Sequence, residues 1–257
     1  KSDFVSIKIF VLNKSSYNFL RKENYDIQYL SLSLTHKLIL KIKTNPRYVF
    51  VYSFLKLFYE FNIFEFLMNK RKIDLVYFLS PSQLITDIGN LNFIYTIWDN
   101  CHRDQPEFPE VRRNNQFEKR EIYLNNLKKA FAIITDSEIG KKNVCKRYNI
   151  DKERIFVFPF EPSKTDRVNL LDSEFNKKIS KLKPYIYYPA QYWPHKNHIY
   201  IIDAIEHFKK KYDLNIKVIF SGYDKGNLTY LKNYTNEKNL QNDIYFMDFV
   251  TDENICL

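Results

Sequence analysis

Residues 188–198, with the sequence Tyr-Pro-Ala-Gln-Tyr-Trp-Pro-His-Lys-Asn-His, have the residue types and order of an anion-binding loop. They lie between an apolar run, 185–188, and an amphipathic segment, 199–212, so the order predicts a strand, a short loop and a helix. The first turn of a helix leaves backbone N–H groups free to bind anions. Lys196 adds a positive charge at this point, and we therefore expect a phosphate-bearing ligand.

Simpler roles exist for each side chain of this loop. A lysine that begins a helix either has an anionic partner or points into water. Tyr192 and Trp193 could stack on a base, although packing beneath the loop is the commoner role. His195 and His198 lie three residues apart, but no third ligand is visible nearby, and a zinc site is not expected.

A second candidate is Asp99-Asn-Cys-His102-Arg-Asp104, which directly follows an apolar, strand-like run. His102 could accept a proton, with Asp99 or Asp104 orienting its imidazole. The alternative is a loop histidine that only satisfies a neighbouring group. The nearby carboxylates are expected at the surface: Glu107 and Glu110.

Strands that alternate with helices must position these residues. Asp136 and Ser137 are expected to cap a helix. The apolar runs 74–79 and 93–98 are typical of buried parallel strands. The predicted strands are 5–12, 27–32, 74–79, 93–98, 130–135, 154–160, 185–188, 216–220 and 244–249. The predicted helices are 49–70, 117–129, 141–148, 197–212 and 228–239, and residues 101–115 are predicted to be a loop.

This alternation predicts an α/β doubly wound fold with two Rossmann-like units. The expected division is a first domain over 1–162, a linker over 163–183 and a second, partial domain over 184–257. Ligands of such sheets bind beyond the carboxyl ends of the strands. We therefore expect four features to line one cleft: Ser80 to Ser82, Asp99 to His102, Asp136 with Ser137, and Gln191 to Asn197.

Composition narrows the function classes. The 257 residues include only 4 glycines, which excludes a G-x-G-x-x-G fingerprint and a G-x-x-x-x-G-K P-loop. A net charge of +10 favours anionic partners, such as a nucleotide or acidic lipid headgroups, or reflects a generally basic surface. No nucleic-acid module is recognisable. Three widely spaced cysteines favour a reduced, cytoplasmic setting, and no apolar run is long enough to span a membrane.

Together these motifs resemble GT-B glycosyltransferases of family 4, a large retaining group that uses nucleotide sugars. The resemblance spans nearly the whole chain and rests on four motifs in the family's order. They are Trp98-Asp-Asn-Cys-His102-Arg-Asp-Gln-Pro106-Glu-Phe108, Thr135-Asp-Ser137-Glu138, Arg154-Ile-Phe-Val-Phe-Pro159 and the loop of residues 188–198.

The resemblance implies two Rossmann-like domains that face a cleft, the second incomplete. It implies transfer of a sugar from a nucleotide sugar to a saccharide or lipid-linked acceptor, in bacterial surface polysaccharide or lipopolysaccharide biosynthesis. No metal or other cofactor is expected. The implied catalytic residues are His102 and Asp99, and the implied donor-binding residues are Lys196, Gln191, Asn197 and Gly222.

The chain also departs from the family's pattern. Most members place an arginine five residues before the loop lysine, where this chain has Gln191. The Gly-rich acceptor loop would precede Lys1, and the Glu-x7-Glu motif would follow Leu257. We therefore expect a chain truncated at both ends that lacks part of its donor site.

Two alternatives stay open: a GT-B nucleotide-sugar epimerase and a non-catalytic basic binding module. The expected location is the cytoplasm, with peripheral contact to an anionic membrane face as an option.

Overall fold

The computed structural model describes residues 6–56, 62–161 and 181–250, and within them strands alternate with helices. Two compact units divide the chain. One contains Lys1–His102 and Phe117–Pro159, and the other contains Arg103–Gln116 and Phe160–Leu257. Every sheet in the described ranges is parallel. The α/β architecture expected from the sequence is therefore confirmed.

The secondary-structure elements follow in chain order. The strands are β1 (Ile9–Val11), β2 (Ile27–Tyr29), β3 (Leu75–Phe78), β4 (Asn92–Ile97), β5 (Ala132–Thr135), β6 (Ile155–Val157), β7 (Tyr185–Pro189), β8 (Lys217–Ser221) and β9 (Ile244–Met247). The helices are α1 (Lys14–Lys22), α2 (Leu34–Thr44), α3 (Val49–Lys56), α4 (Ile63–Lys70), α5 (Cys101–Asp104), α6 (Pro109–Arg112), α7 (Gln116–Leu124), α8 (Glu138–Tyr148), α9 (His198–Tyr212) and α10 (Leu228–Glu237). Each of the nine predicted strands is present.

The first unit contains a two-stranded sheet, β1–β2, and a four-stranded sheet in the order β3-β4-β5-β6. Phe93, Tyr95 and Ile133 on β4 and β5 are fully buried in its core. The prediction that β3 is buried on both faces is wrong, because Leu75 and Tyr77 remain 44% and 45% exposed. This strand lies at the edge of its sheet, where one face is less covered.

The predicted single helix over residues 49–70 is also wrong. Asn62 has φ −106° and ψ 87°, which is not helical, and α4 begins after it. The backbone N–H of Phe64 donates to the Asp87 carboxylate at 2.7 Å. Asp87 therefore caps α4 from a distant part of the chain. Residues 57–61 lie outside the described ranges.

Residues 101–115 were expected to be a loop, but they contain the short helices α5 and α6. Pro109 occupies the first turn of α6, where its missing N–H costs nothing. Four-residue helices are too short to give a periodic pattern. The segment Arg103–Gln116 is grouped with the second unit, although the chain on both sides of it belongs to the first.

The second unit contains the sheet β7-β8-β9, with α9 and α10 packed against it. Pro189 pairs with Ser221, and Ser221 pairs with Met247, so the three strands end side by side. The loops that follow these strands consequently lie along one edge of the sheet. The predicted linker, 163–183, falls almost wholly outside the described residues, and the predicted domain boundaries stay a prediction.

None of the helices in the described ranges combines the length and the apolar character that crossing a bilayer requires.

Candidate functional site

The loop between β7 and α9 has a defined conformation. The indole N–H of Trp193 donates to the Gln191 side chain at 3.0 Å. Pro194–Lys196 forms one 3₁₀ turn, and Asn197 then adopts the left-handed conformation with φ 51° before α9 begins. The left-handed conformation of Asn197 thus separates the 3₁₀ turn from the helix. Lys196 and Asn197 lie at the N-terminus of α9, as the sequence predicted.

The N-terminus of α9 is electrostatically suited to an anion. Asn197 makes no side-chain capping hydrogen bond, and the first turn of this 15-residue helix contains no acidic residue. Lys196 is exposed and has no ion pair among the described residues. Free N–H groups, the helix dipole and one cation therefore meet at this point.

Gly222 brings the loop after β8 against the loop after β7. A Cβ at Gly222 would lie 2.5 Å from the Ala190 carbonyl oxygen and 2.7 Å from the Cα of Gln191. Only glycine fits such a close backbone approach. Gln191, Lys196, Asn197 and Gly222, the four predicted donor-binding residues, therefore lie along one edge of the second unit's sheet.

Buried aromatic residues anchor this edge from below. Tyr192 is fully buried, and its hydroxyl donates to the carbonyls of Phe220 at 3.1 Å and Met247 at 2.7 Å. Burial raises the pKa of Tyr192 well above its ordinary value. Rings of Tyr188, Tyr192 and Phe220 surround the buried imidazole of His198. Burial, together with the charge of Lys196, lowers the pKa of His198 against the opposing effect of the Ala190 carbonyl.

His195 and His198 do not act as a pair. His198 is buried among aromatic rings, whereas His195 Nδ1 lies against the Glu110 carboxylate. Within the described ranges no three His, Cys, Asp or Glu side chains form a group suited to a metal. Glu110 was expected at the surface, and that expectation is wrong because its side chain is only 13% exposed.

An aromatic pair also lies on this edge. Tyr223 and Phe249 stack in parallel, with ring centroids 5.0 Å apart and an interplanar angle of 3°, and both are about half exposed. The ammonium of Lys225 lies 5.8 Å from the Trp193 ring centroid and 6.0 Å from that of Tyr223. Exposed, stacked rings beside a cation are suited to a flat, anionic ligand.

In the first unit, Asp99 follows β4 directly and is the more accessible of the two predicted catalytic residues, with its side chain 43% exposed. Its carboxylate accepts from the Cys101 N–H at 2.9 Å and from Arg120 at 3.0 Å. Burial raises the pKa of Asp99, but Arg120 and the Cys101 N–H outweigh that effect and hold this pKa below its usual value. Asp99 is therefore an anion at neutral pH.

His102 is buried, with 1% of its surface exposed. Its Nε2 lies 2.7 Å from Oε1 of Glu121, and the Tyr148 hydroxyl donates to the same oxygen at 3.0 Å. Glu121, rather than Asp99, thus orients the imidazole. Burial and the charge of Arg120 lower the pKa of His102, against the opposing effect of Glu121. His102 is a neutral imidazole held inside the first unit.

Several of these partners were missed by sequence reasoning. Glu121 is 19 residues from His102, and Glu110 is 85 residues from His195. No motif or spacing connects residues so distant in the chain. Tyr223 and Phe249 did carry a signal: Tyr223 follows the predicted strand 216–220, and Phe249 is the last residue of the predicted strand 244–249. Ligands of this fold class bind at the carboxyl ends of strands.

A sequence-family comparison decides what this edge resembles. The match covers about a third of the 257 residues and includes the loop between β7 and α9, the loop after β8, and β9. Residues 172–256 match the family model described as glycosyl transferases group 1. The resemblance to glycosyltransferases stated from the sequence is confirmed. A comparison with curated protein sequences gave no significant match.

Solved structures extend the comparison beyond the group 1 segment. HepE from Anabaena in complex with UDP and glucose is 14% identical, with a TM-score of 0.61, over 96% of this chain and 62% of that protein. A glycosyltransferase from Rickettsia africae is 15% identical, with a TM-score of 0.57, over 96% and 61%. UDP-N-acetylglucosamine 2-epimerase from Rickettsia bellii is 16% identical, with a TM-score of 0.50, over 97% and 63%.

These likenesses concern the fold. They confirm the predicted GT-B fold class, in which both units are Rossmann-like. This chain spans about three fifths of the length of the solved proteins. The group 1 segment contains Lys196, Gln191, Asn197 and Gly222, whereas His102 and Asp99 precede it.

Proposed function

We propose that this chain takes part in transferring a sugar from a nucleotide-sugar donor to a saccharide or lipid-linked acceptor, with retention at the sugar carbon. The observation that carries the proposal is the N-terminus of α9, which has no side-chain cap and no acidic residue in its first turn, with Lys196 beside it. In such a transfer the bond between the sugar carbon and the diphosphate breaks, and negative charge grows on the leaving diphosphate. Free N–H groups and a cation stabilise that charge.

The aromatic pair supports a nucleotide as the rest of the donor. A base could stack on the half-exposed Tyr223 and Phe249, which lie along the same sheet edge as Lys196. HepE has been crystallised with UDP and with UDP-glucose. A uridine nucleotide is therefore the first donor class to test.

His102 and Asp99 remain our proposed catalytic residues. Nε2 of His102 faces the Glu121 carboxylate, which can only accept, so Nε2 carries the proton and Nδ1 carries a lone pair. Nδ1 has no hydrogen-bond partner among the described residues. It is an acceptor for a sugar hydroxyl if α5 moves enough to admit one. Asp99, which is more exposed, could contact the acceptor directly.

A basic groove supports an acceptor at a membrane surface. In the first unit a cavity of about 700 Å³ has five cations in its wall and two carboxylates, Glu138 and Asp151. The cations are Lys128, Lys141, Lys142, Lys152 and Arg154. We propose that this groove contacts anionic lipid headgroups on the cytoplasmic face of a bacterial membrane, at about 1 kcal/mol per basic residue.

The test is product analysis with the full chain. Incubation with UDP-glucose and other nucleotide sugars, with and without saccharide acceptors, should release nucleoside diphosphate and form a glycosylated product without added metal. A donor whose sugar changes configuration without transfer would indicate the epimerase reading, which the likeness to the Rickettsia bellii enzyme keeps open. Binding to any polyanion with no preference for a nucleotide sugar would indicate a basic binding module.

The membrane contact has its own measurement. Vesicles containing phosphatidylglycerol should sediment the chain, and pure phosphatidylcholine vesicles should not. Lys141→Glu with Lys142→Glu should reduce sedimentation, whereas two charge reversals on the last turn of α9, Lys210→Glu and Lys211→Glu, serve as the matched control. Equal effects of the two pairs of substitutions would show that membrane binding depends on the general surface charge and not on this groove.

A further inference from the structure

The segment Arg103–Gln116 is the feature that the proposed function leaves unexplained. It is grouped with the second unit, although the chain on both sides of it belongs to the first. Within the second unit, the Glu110 carboxylate contacts Nδ1 of His195. The Phe108 ring packs edge-on against the same imidazole, with ring centroids 6.1 Å apart. His195 in turn stacks on Trp193 at 6.4 Å. The segment is therefore fastened to the loop that contains Lys196.

Three residues after Glu110, the same segment places an arginine beside the neighbouring loop. Nη1 of Arg113 lies 3.7 Å from the position that a Cβ would take at Gly226, in the loop after β8. Arg113 is exposed, and its guanidinium has no hydrogen bond or ion pair in the described parts of the chain. Arg112, by contrast, donates to the Pro106 carbonyl at 2.9 Å.

The charge at the sheet edge makes such an arginine useful. A terminal phosphate group alone carries about 1.5 to 2 negative charges, and a diphosphate carries more. Against this, the N-terminus of α9 contributes roughly half a positive charge, and Lys196 contributes one. Lys225, a further cation at this edge, lies over the rings of Trp193 and Tyr223. A nucleoside diphosphate would leave about one charge without a partner.

We propose that Arg113 supplies this missing charge and contacts the diphosphate of the donor, and that the Glu110–His195 contact positions it. The proposal rests on the proposed function, since it names a further residue of the same site. An arginine is well suited to the role, because its planar fork binds two phosphate oxygens at once.

The experiment measures nucleotide binding to the full chain by calorimetry, with UDP, UMP and uridine as probes. Arg113→Ala should weaken UDP binding by about 10- to 150-fold, the usual effect of losing a hydrogen bond to a charged group. It should leave uridine binding unchanged and affect UMP less than UDP. Arg113→Lys should restore part of the UDP affinity. Arg112→Ala is the matched control and should change UDP affinity less than threefold.

Each other outcome has a definite meaning. If Lys196→Ala weakens UDP binding and Arg113→Ala does not, the role of Arg113 is overturned while the proposed function stands. Equal losses of UDP and uridine affinity in a folded Arg113→Ala variant would overturn the direct phosphate contact. If the unmodified chain binds neither UDP nor GDP, ADP or CDP, the proposed function fails, and the role of Arg113 fails with it.

Discussion

Nε2 of His102 lies 2.7 Å from Oε1 of Glu121, and the His102 side chain is buried while that of Glu121 is 15% exposed. The pairing gives a candidate catalytic histidine a fixed tautomer. It also makes the histidine part of the fold's hydrogen-bond network, together with the Tyr148 hydroxyl. The proposed catalytic role and the stability of the fold therefore depend on the same residue.

The stability of the chain should fall as the pH drops below about 6.5, because the pKa of His102 is lowered from 6.5 in the folded state. The unfolded chain then binds more protons than the folded one, so the free energy of unfolding decreases on acidification. The contribution is fully present above pH 6.5 and declines toward the lower, folded-state pKa. Urea titrations between pH 8 and pH 5 measure it. His102→Gln should make the profile less steep, and the part that remains includes His198, whose pKa is also lowered by burial. A free energy of unfolding that rises toward pH 5 would contradict the assignment.

His102→Ala should lower both the melting temperature and the turnover. Removing the imidazole leaves the partly buried Glu121 and the buried Tyr148 without one of their partners, at about 1–3 kcal/mol. Loss of a group that transfers a proton or binds the reacting sugar reduces turnover by about 10²- to 10⁴-fold. Melting and kcat are measured on the same preparation. Reduced melting temperature with near-normal kcat would make His102 structural, and Asp99 and then Asp136 would become the next candidates.

Lys196→Ala should weaken donor binding by about 10- to 150-fold, and Gln191→Arg should strengthen it. The first change removes a cation from the start of α9, and the second adds one on the same loop at the cost of the 3.0 Å Trp193–Gln191 hydrogen bond. Calorimetry with UDP gives both affinities. Lys211→Ala, on the last turn of α9, is the control. Unchanged affinity in Lys196→Ala would remove this lysine from the site.

Gly222→Ala should destabilise the second unit by about 1–3 kcal/mol and weaken nucleotide binding, because the added methyl meets the backbone of Ala190 and Gln191. Neither backbone atom can move without displacing the loop that leads to Lys196. Gly140→Ala is the control: there the three atoms nearest to the added methyl belong to side chains, the nearest being Asp136 Oδ1 at 3.1 Å. Equal melting temperatures for the two variants would show that the loop after β7 can shift to accommodate the added methyl group, contrary to this prediction.

Asp87→Asn should cost about 3–5 kcal/mol of unfolding free energy. Asp87 is fully buried and accepts from Lys43, from His36 at 2.9 Å and from the Phe64 N–H. Neutralising it leaves the buried Lys43 without the carboxylate charge it faces. Chemical denaturation measures the loss. Asp26→Asn, at an exposed position, should change stability by less than 0.5 kcal/mol, and an equally small effect at Asp87 would argue against a charged pair.

Features that depend on residues close together in the chain were predicted from the sequence, whereas features that depend on contacts between distant residues were not. Local signals sufficed for all nine strands and for the Ser137 cap of α8, whose hydroxyl accepts from the Gly140 N–H at 3.1 Å. The apolar pattern across Asn62 indicated one continuous helix. The break could not be predicted, because the residue that caps α4, Asp87, lies 23 residues from Phe64 in the sequence.

The candidate site divides in the same way. Lys196 and Asn197 lie in the loop after a predicted strand, so the rule that ligands bind beyond the carboxyl ends of strands was enough to propose them. Gly222 was proposed from the family resemblance. Glu121 and Arg113 reach their positions only through tertiary packing. Nothing in the sequence around Arg113 and its neighbour Arg112 indicates that the two side chains have different contacts.

Because Arg103–Gln116 is grouped with the second unit, the chain passes between the two units three times. This path of the chain limits where two related proteins can be joined into a functional chimera. A crossover that replaces everything after residue 162 would bring in a new loop after β7 while keeping the old Glu110. If the loop after β7 binds the donor as proposed, a hybrid chain should acquire the donor preference of its new parent only when the stretch around Glu110 and the stretch around His195 come from the same parent.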